Sequence, residues 1–236
     1  MPLIDLTSLN DSDDAAAVRT LCGLARTAPV KPAAVCIWAR WIPDALEALE
    51  GAGTPVCAVA NFPNGGADPS AAAAETATAV AAGATEVDVV FPYRAMLAGD
   101  LHVGLRLVRA CRESCGRHAR LKVILETGQL VNAENIRQAA EIAIEGGADF
   151  LKTSTGKTQP AATPEAAEIL LDAIAAEARR DRCIGFKASG GIRTLGDASV
   201  YLALYEQRFG TGSASASNFR IGASGLFKEL VAAVLT

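Results

Sequence analysis

Three segments of this chain share one design: EGAGTPVCAVANF (Glu50 to Phe62), AAGATEVDVVF (Ala81 to Phe91) and EGGADFLKTS (Glu145 to Ser154). In each, a helical pattern runs into glycine and then into a short β-rich run. Glycine supplies the left-handed backbone that ends a helix. The run after it lacks strict polar alternation, as a strand covered on both faces should. Helix, glycine and buried strand, repeated, predict α/β units on a parallel sheet.

The same reading yields eight strand candidates: Ile4–Leu6, Val35–Trp38, Val56–Ala60, Glu86–Val90, Lys122–Glu126, Phe150–Lys152, Ile184–Lys187 and Phe219–Ile221. Amphipathic stretches between them predict helices over Asp11–Ala28, Ser70–Ala82, Leu101–Cys115, Ala133–Glu145, Pro164–Arg180 and Leu195–Phe209. Proline at N1 in Thr163-Pro164-Glu165 marks one helix start, and Asn132 can cap another. No linker-like stretch divides the chain. The loop Gly210 to Asn218 reads as mobile but is too short to separate domains. A single domain over residues 1–236 is expected, folded as a closed (β/α)8 TIM barrel, with a doubly wound open sheet as the structural alternative.

In a barrel the active site lies where strands run into their following loops. Asp5, Asn61, Asp88, Glu126, Lys152 and Lys187 fall there. Side chains alternate across a strand, so Val87 and Val89 facing the helices turn Asp88 inward. By the same parity Leu151 turns Lys152 inward, and Ile184 and Phe186 turn Lys187 inward. Neighbouring strands are ~4.8 Å apart. Lysines at similar heights on strands six and seven then come close enough for each ammonium to disfavour the other's protonation. That is one way to prepare a neutral amine nucleophile. An inward aspartate can hold the pair together and shuttle protons. A lone lysine–aspartate pair would read as a structural salt bridge. Two lysines, an aspartate and a glutamate in one barrel mouth favour catalysis, because buried charge is costly.

Phosphate binding is the second signal. Gly190-Gly191 follow strand seven, and Gly222-Ala223-Ser224-Gly225 follow strand eight ahead of a helix. Barrels often bind phosphate at these two loops, through backbone N–H groups and a helix N-terminus. Lys157, with Thr155 and Gly156, could add a charge contact; on spacing alone a solvated loop lysine fits as well. Metal chemistry is argued against, since zinc enzymes of this kind typically need several histidines. This chain has His102 and His118, both in or after a helical pattern and away from strand ends. Cys111 and Cys115 lie i,i+4 on a helix with only His118 nearby, and read as packed residues in preference to a zinc site.

A net charge of −4 favours neither nucleic acid nor an anionic membrane as partner. No apolar run approaches the ~20 residues of a membrane span. The start MPLIDLTSLNDSDD lacks a signal-peptide pattern. The six cysteines then read as reduced thiols of a cytoplasmic protein.

Taken together, the motifs DLTSLN, VCIWARWIP, NFPNGG, EVDVVFPY, LKVILETGQL, GADFLKTSTGK, ATPE, GFKASGGIRT and RIGASGL resemble deoxyribose-phosphate aldolase almost end to end. KTSTGK and GFKASGG carry most of the specificity. The resemblance implies a class I aldolase on a (β/α)8 barrel, without cofactor or metal, acting on phosphorylated sugar and aldehyde substrates. It implies that Lys152 is the Schiff-base nucleophile, with Asp88 and Lys187 moving protons. It puts Gly156, Lys157, Gly190, Gly191, Gly222 and Ser224 around the phosphate, and Asp5, Thr7, Cys36 and Thr155 along the pocket. It leaves a homodimer open as the assembly. Other readings are a Schiff-base aldolase for a different sugar or keto acid, and a sugar-phosphate-binding barrel without chemistry. The sequence departs from the family pattern in Ser224-Gly225 where Ser-Ser is common, in Ala39 where proline is common, and in having no tyrosine-bearing C-terminal tail. These departures bear on rate and phosphate affinity more than on reaction type.

Overall fold

At the joints, Gly83 and Gly147 take φ of +107° and +98°. A side chain rarely tolerates that region, so glycine lets each helix end and its strand begin at once. The computed structural model describes residues 3–178 and 183–235. Parallel strands β1 (Ile4–Thr7), β2 (Ala34–Ile37), β3 (Val56–Ala60), β4 (Glu86–Val90), β5 (Arg120–Ile124), β6 (Phe150–Lys152), β7 (Gly185–Ser189) and β8 (Phe219–Ala223) pair in chain order and close into a barrel. The closing ladder aligns Ile4 with Ile221 and Asp5 with Gly222, which rules out the open sheet.

Helices α1 (Ala15–Thr27), α2 (Ile42–Ala48), α3 (Pro69–Ala81), α4 (Tyr93–Leu97), α5 (Leu101–Cys115), α6 (Ala133–Glu145), α7 (Pro164–Ala178), α8 (Leu195–Phe209) and α9 (Leu226–Leu235) pack outside the barrel. Their starts follow capping chemistry. Asp14 accepts from the Ala17 N–H and Asn132 from the Asn135 N–H. Thr194 and Asp197 form a reciprocal capping box. No helix among the described residues is long and apolar enough to cross a membrane.

Several boundaries differ from expectation. Strand β5 begins at Arg120 and ends at Ile124, so Glu126 lies beyond it, with left-handed φ of 56° and ψ of 53°. Strands β7 and β8 each run two residues further than their apolar patterns, because Ser189 and Ala223 still pair at the barrel rim. The short α2 and α4 span too few turns to show a periodic stripe. The end of the predicted Pro164–Arg180 helix lies outside the described residues. The loop expected to be mobile is tied by Asn218, whose Oδ1 accepts from the Ser215 N–H at 2.7 Å and whose Nδ2 donates to the Ser213 carbonyl at 3.1 Å.

Alternate residues of each strand meet different surroundings. Leu6, Val35, Ala58, Val87, Val123 and Phe186 point outward into one large apolar layer shared with the helices. Inside the barrel a small apolar cluster, Leu9, Ala34, Cys36, Cys57 and Val59, covers the β2–β3 wall. The remaining inner wall carries charge.

Candidate active site

Strand parity delivers the inner charges. Lys152 ends β6 and stands in register with Lys187 on β7. Both amines donate to the same Asp88 oxygen, Oδ2, at 2.7 Å. Asp88 is fully buried on β4, and its other oxygen, Oδ1, accepts from Lys122 of β5 at 2.8 Å. Asp5 of β1 receives Lys187 at 2.5 Å and Arg220 of β8 at 2.5 Å. Glu86, two residues before Asp88, receives Lys122 at 2.6 Å and Arg220 at 2.9 Å. Each of these seven residues is at most 3% exposed.

Three of the seven, Glu86, Lys122 and Arg220, were not singled out in the sequence, nor was Cys57 beside them. The signal was present. Glu86 shares the parity of Asp88, Lys122 lies between outward Leu121 and Val123, and Arg220 between outward Phe219 and Ile221.

Electrostatics correct one expectation. The two lysines were expected to disfavour each other's protonation, and for Lys187 the outcome is the reverse. Burial works against its ammonium, but Asp5 and Asp88 outweigh burial and hold it well above the usual lysine range. Lys122 is likewise held protonated against burial by Asp88, Cys57 and Glu86. Burial would raise the Asp88 carboxyl, yet Lys122, Lys152 and Lys187 keep it well below the carboxylate range. Asp5 comes down to about 2, where Lys187, Lys122 and Arg220 outweigh burial.

The buried cluster therefore sets four cations, Lys122, Lys152, Lys187 and Arg220, against three carboxylates, Asp5, Glu86 and Asp88, with the exposed Arg120 4.0 Å from Glu86 at its edge. Lys152 meets one carboxylate, Lys187 two and Lys122 three. The least-paired amine stands at the end of its strand, towards the mouth.

Cys36 and Cys57 face each other in register across β2 and β3. The Cys57 thiol donates to Asp88 Oδ1 at 3.1 Å and accepts from Lys122 at 3.2 Å. A hydrogen bond from Cys57 favours the Cys36 thiolate over the opposing effect of burial. Cys36, Cys57 and Asp88 bring their ligand atoms within 4.8 Å of one another. Three ammonium groups at the same carboxylate make this surrounding unfavourable for a cation.

Above the charged interior lies a cavity of about 260 Å³ at the C-terminal mouth. Thr7, Thr155, Gly156, Lys157, Gly190, Gly191, Gly222 and Ser224 line it as expected, together with Arg193, which the sequence reading did not single out. A side chain at Gly222 would come within 3.0 Å of Lys187 Cε and Ser189 Oγ. This glycine therefore opens the cavity floor onto the lysines. Lys157 donates to the Leu9 carbonyl at 2.7 Å, which holds its ammonium across the mouth. Thr7 turns its hydroxyl back to the Asp5 carbonyl at 2.8 Å. Helix α9 begins at Leu226, two residues after Ser224, so its free N–H groups adjoin the cavity.

Two expected strand-end residues do other work. Asn61 donates to the carbonyls of Gly66 and Val90, both at 2.9 Å, and pins the loop after β3. Glu126 accepts from the Thr155 N–H at 3.2 Å and hydroxyl at 2.5 Å, and so orients the Thr155 to Lys157 turn. His102 and His118 are exposed and far from the strand C-termini.

Residues 1–215 match the DeoC/LacD family aldolases. A Toxoplasma gondii ME49 structure, described as a candidate deoxyribose-phosphate aldolase, superimposes with a TM-score of 0.88 at 28% identity, over 97% of this chain and 89% of that one. The deoxyribose phosphate aldolase of Aeropyrum pernix, a tetramer, gives 0.79 at 25% identity, over 100% of this chain and 90% of that one. A Coccidioides immitis structure, also a candidate deoxyribose-phosphate aldolase, gives 0.85 at 29%, over 99% and 85%. A match over nearly the whole barrel, on a closed fold whose inner wall presents lysines, assigns this chain to the DeoC/LacD family of aldolases.

Proposed function

We propose that this aldolase cleaves 2-deoxyribose 5-phosphate reversibly to glyceraldehyde 3-phosphate and acetaldehyde, through a Schiff base on Lys152. The observation that carries the reading is the charge count around Asp88. With four cations to three carboxylates in contact, neutrality is reached when one amine gives up its proton, since unpaired buried charge is costly. Lys152, with one carboxylate partner, is the amine that does so.

Neutral Lys152 adds to the open-chain aldehyde; the carbinolamine takes up one proton and loses water to leave a protonated imine, and that proton is released when the last imine is hydrolysed. The imine draws electrons from the C-2–C-3 bond as the C-3 hydroxyl loses its proton. Asp88 takes up that proton through a water, which the Lys187 ammonium beside it orients. Asp88 is kept ionised by its lysines, so the proton rests there only in passing. Glyceraldehyde 3-phosphate leaves, and the same proton then returns to the enamine carbon. Hydrolysis frees acetaldehyde and the amine. The phosphate fits the cavity of Lys157, Gly190, Gly191 and Ser224, where backbone N–H groups, a helix N-terminus and an ammonium favour an anion. The free thiols of all six cysteines accord with a reducing cytoplasm, and the reaction with breakdown of deoxyribonucleosides.

Borohydride reduction in the presence of acetaldehyde, followed by peptide mass mapping, tests the reading. A stable two-carbon adduct on the peptide carrying Lys152 is expected, with cleavage of 2-deoxyribose 5-phosphate by the untreated enzyme. An adduct on Lys187 or Lys122, or none, overturns the assignment.

A further inference from the structure

A cavity of about 790 Å³ lies at the opposite end of the barrel, at the strand N-termini. Its charges are unevenly spent. Asp149 is bonded to Arg112 and accepts from the Leu121 N–H at 2.7 Å. Glu86 is committed to Lys122 and Arg220. Arg120 reaches Glu86 only at 4.0 Å and the Ala216 carbonyl at 3.4 Å. Arg117 and His118, on the turn after α5, make no ion pair among the described residues.

That turn is built. Gly116 enters it with φ of +55°. Arg112 clamps it from within, donating to the carbonyls of Gly116 and Ala119, both at 2.7 Å, while holding Asp149. Arg117 and His118 are thereby presented to the cavity beside Arg120, at the floor formed by buried Arg220. Four guanidinium groups face two carboxylates here, on a chain whose overall charge is −4. Guanidinium forks match tetrahedral oxyanions in a bidentate way.

We propose that the N-terminal mouth of the barrel is a second anion site, binding a phosphate-class dianion through Arg117, Arg120 and His118. Arg117, with no ion pair among the described residues, and Arg120, held only by long contacts to Glu86 and Ala216, set the charge of the ligand. The volume of the cavity, about 790 Å³, leaves room for a phosphate ester as well as the free ion.

Equilibrium dialysis of the full chain against inorganic phosphate, with methyl phosphate in parallel to distinguish ester from free ion, tests the site. A Lys157→Ala background weakens phosphate binding at the other mouth and isolates this one. In that background Arg117→Ala with Arg120→Gln is expected to weaken phosphate binding at least about tenfold, or about 1.4 kcal/mol. Arg117→Ala alone, at an exposed residue with no partner to lose, is expected to give a smaller loss with the fold intact. The double variant on the wild-type background should still be labelled at Lys152 by acetaldehyde and borohydride. Absence of labelling in every protein would count against the aldolase reading and leave this site standing. Unchanged phosphate affinity in both arginine variants overturns the site.

Discussion

Phe186 and Lys187 are neighbours on β7, yet they belong to different media. Phe186 is fully buried in the outer layer, with its ring 6.1 Å from that of Phe219. Lys187 is equally buried and sits among Asp5, Asp88 and the other lysines. The outer face of the barrel gains stability from apolar burial. The inner face gives up that gain to hold charges whose desolvation is costly and whose pairing is incomplete by one proton. Stability and chemistry are thus assigned to alternate residues of one strand, and substitutions at adjacent positions should have opposite consequences.

The largest effect is expected from Lys187→Met. The contacting cluster would then hold three cations and three carboxylates, and Lys152 would keep its proton. Turnover at neutral pH should fall by roughly 10²–10⁴-fold, the range of a lost acid–base group, and recover in part at alkaline pH. Normal turnover with an unchanged pH profile would sink the charge count.

Phe186→Ala should do the reverse. Removing a buried ring from the outer layer costs about 3–5 kcal/mol, read as a lower denaturant midpoint. Activity per folded molecule should persist, since the ring belongs to the outer apolar layer. If this variant lost its turnover while staying folded, the division between the two faces would be wrong.

The inner charges also set a limit in acid. Asp5 is held at about 2 by Lys187, Lys122 and Arg220 against burial, below the ~3.9 of an unfolded aspartate. A depressed carboxyl contributes stability above its unfolded pKa and loses it as pH falls through the folded one. Asp5 alone should contribute about 2–3 kcal/mol at neutral pH, lost between about pH 4 and 2. Asp88, also lowered, adds to the loss. Denaturant titrations should be flat from pH 7 to 5 and fall steeply below pH 4. A curve that begins to fall near pH 6 would point to other groups.

The same division explains what was legible beforehand. Outward residues and glycine joints depend on local sequence, so the barrel and most strands could be read from Val87, Val89, Leu151 and Phe186. Lys152, Lys187 and Asp88 followed from parity alone. The protonation of Lys187 did not, because Asp5 stands 182 residues away and meets it only through ring closure. Lys122 and Arg220 obey the same parity but lie below the strand ends, where attention to the mouth passes over them. Glu126 was misread as a strand residue because Leu125 prolongs the apolar run, while the backbone has already turned left-handed.

The smallest expected effect concerns the mouth, where inner face and loops meet. Gly225 departs from the Ser-Ser pattern of the resemblance, and its backbone does not explain the departure. Its φ lies outside the left-handed region, and a Cβ there would meet nothing within 4 Å. Gly225→Ser should therefore fold normally and add a hydroxyl donor beside Ser224. One added hydrogen bond to a charged phosphate is worth about 1.5 kcal/mol, or about tenfold in KM. The gain should appear for 2-deoxyribose 5-phosphate with kcat unchanged, and should vanish for unphosphorylated 2-deoxyribose. A gain for both substrates would mean that the new hydroxyl acts on the aldehyde end, and that the cavity of Lys157 and Ser224 does not hold the phosphate.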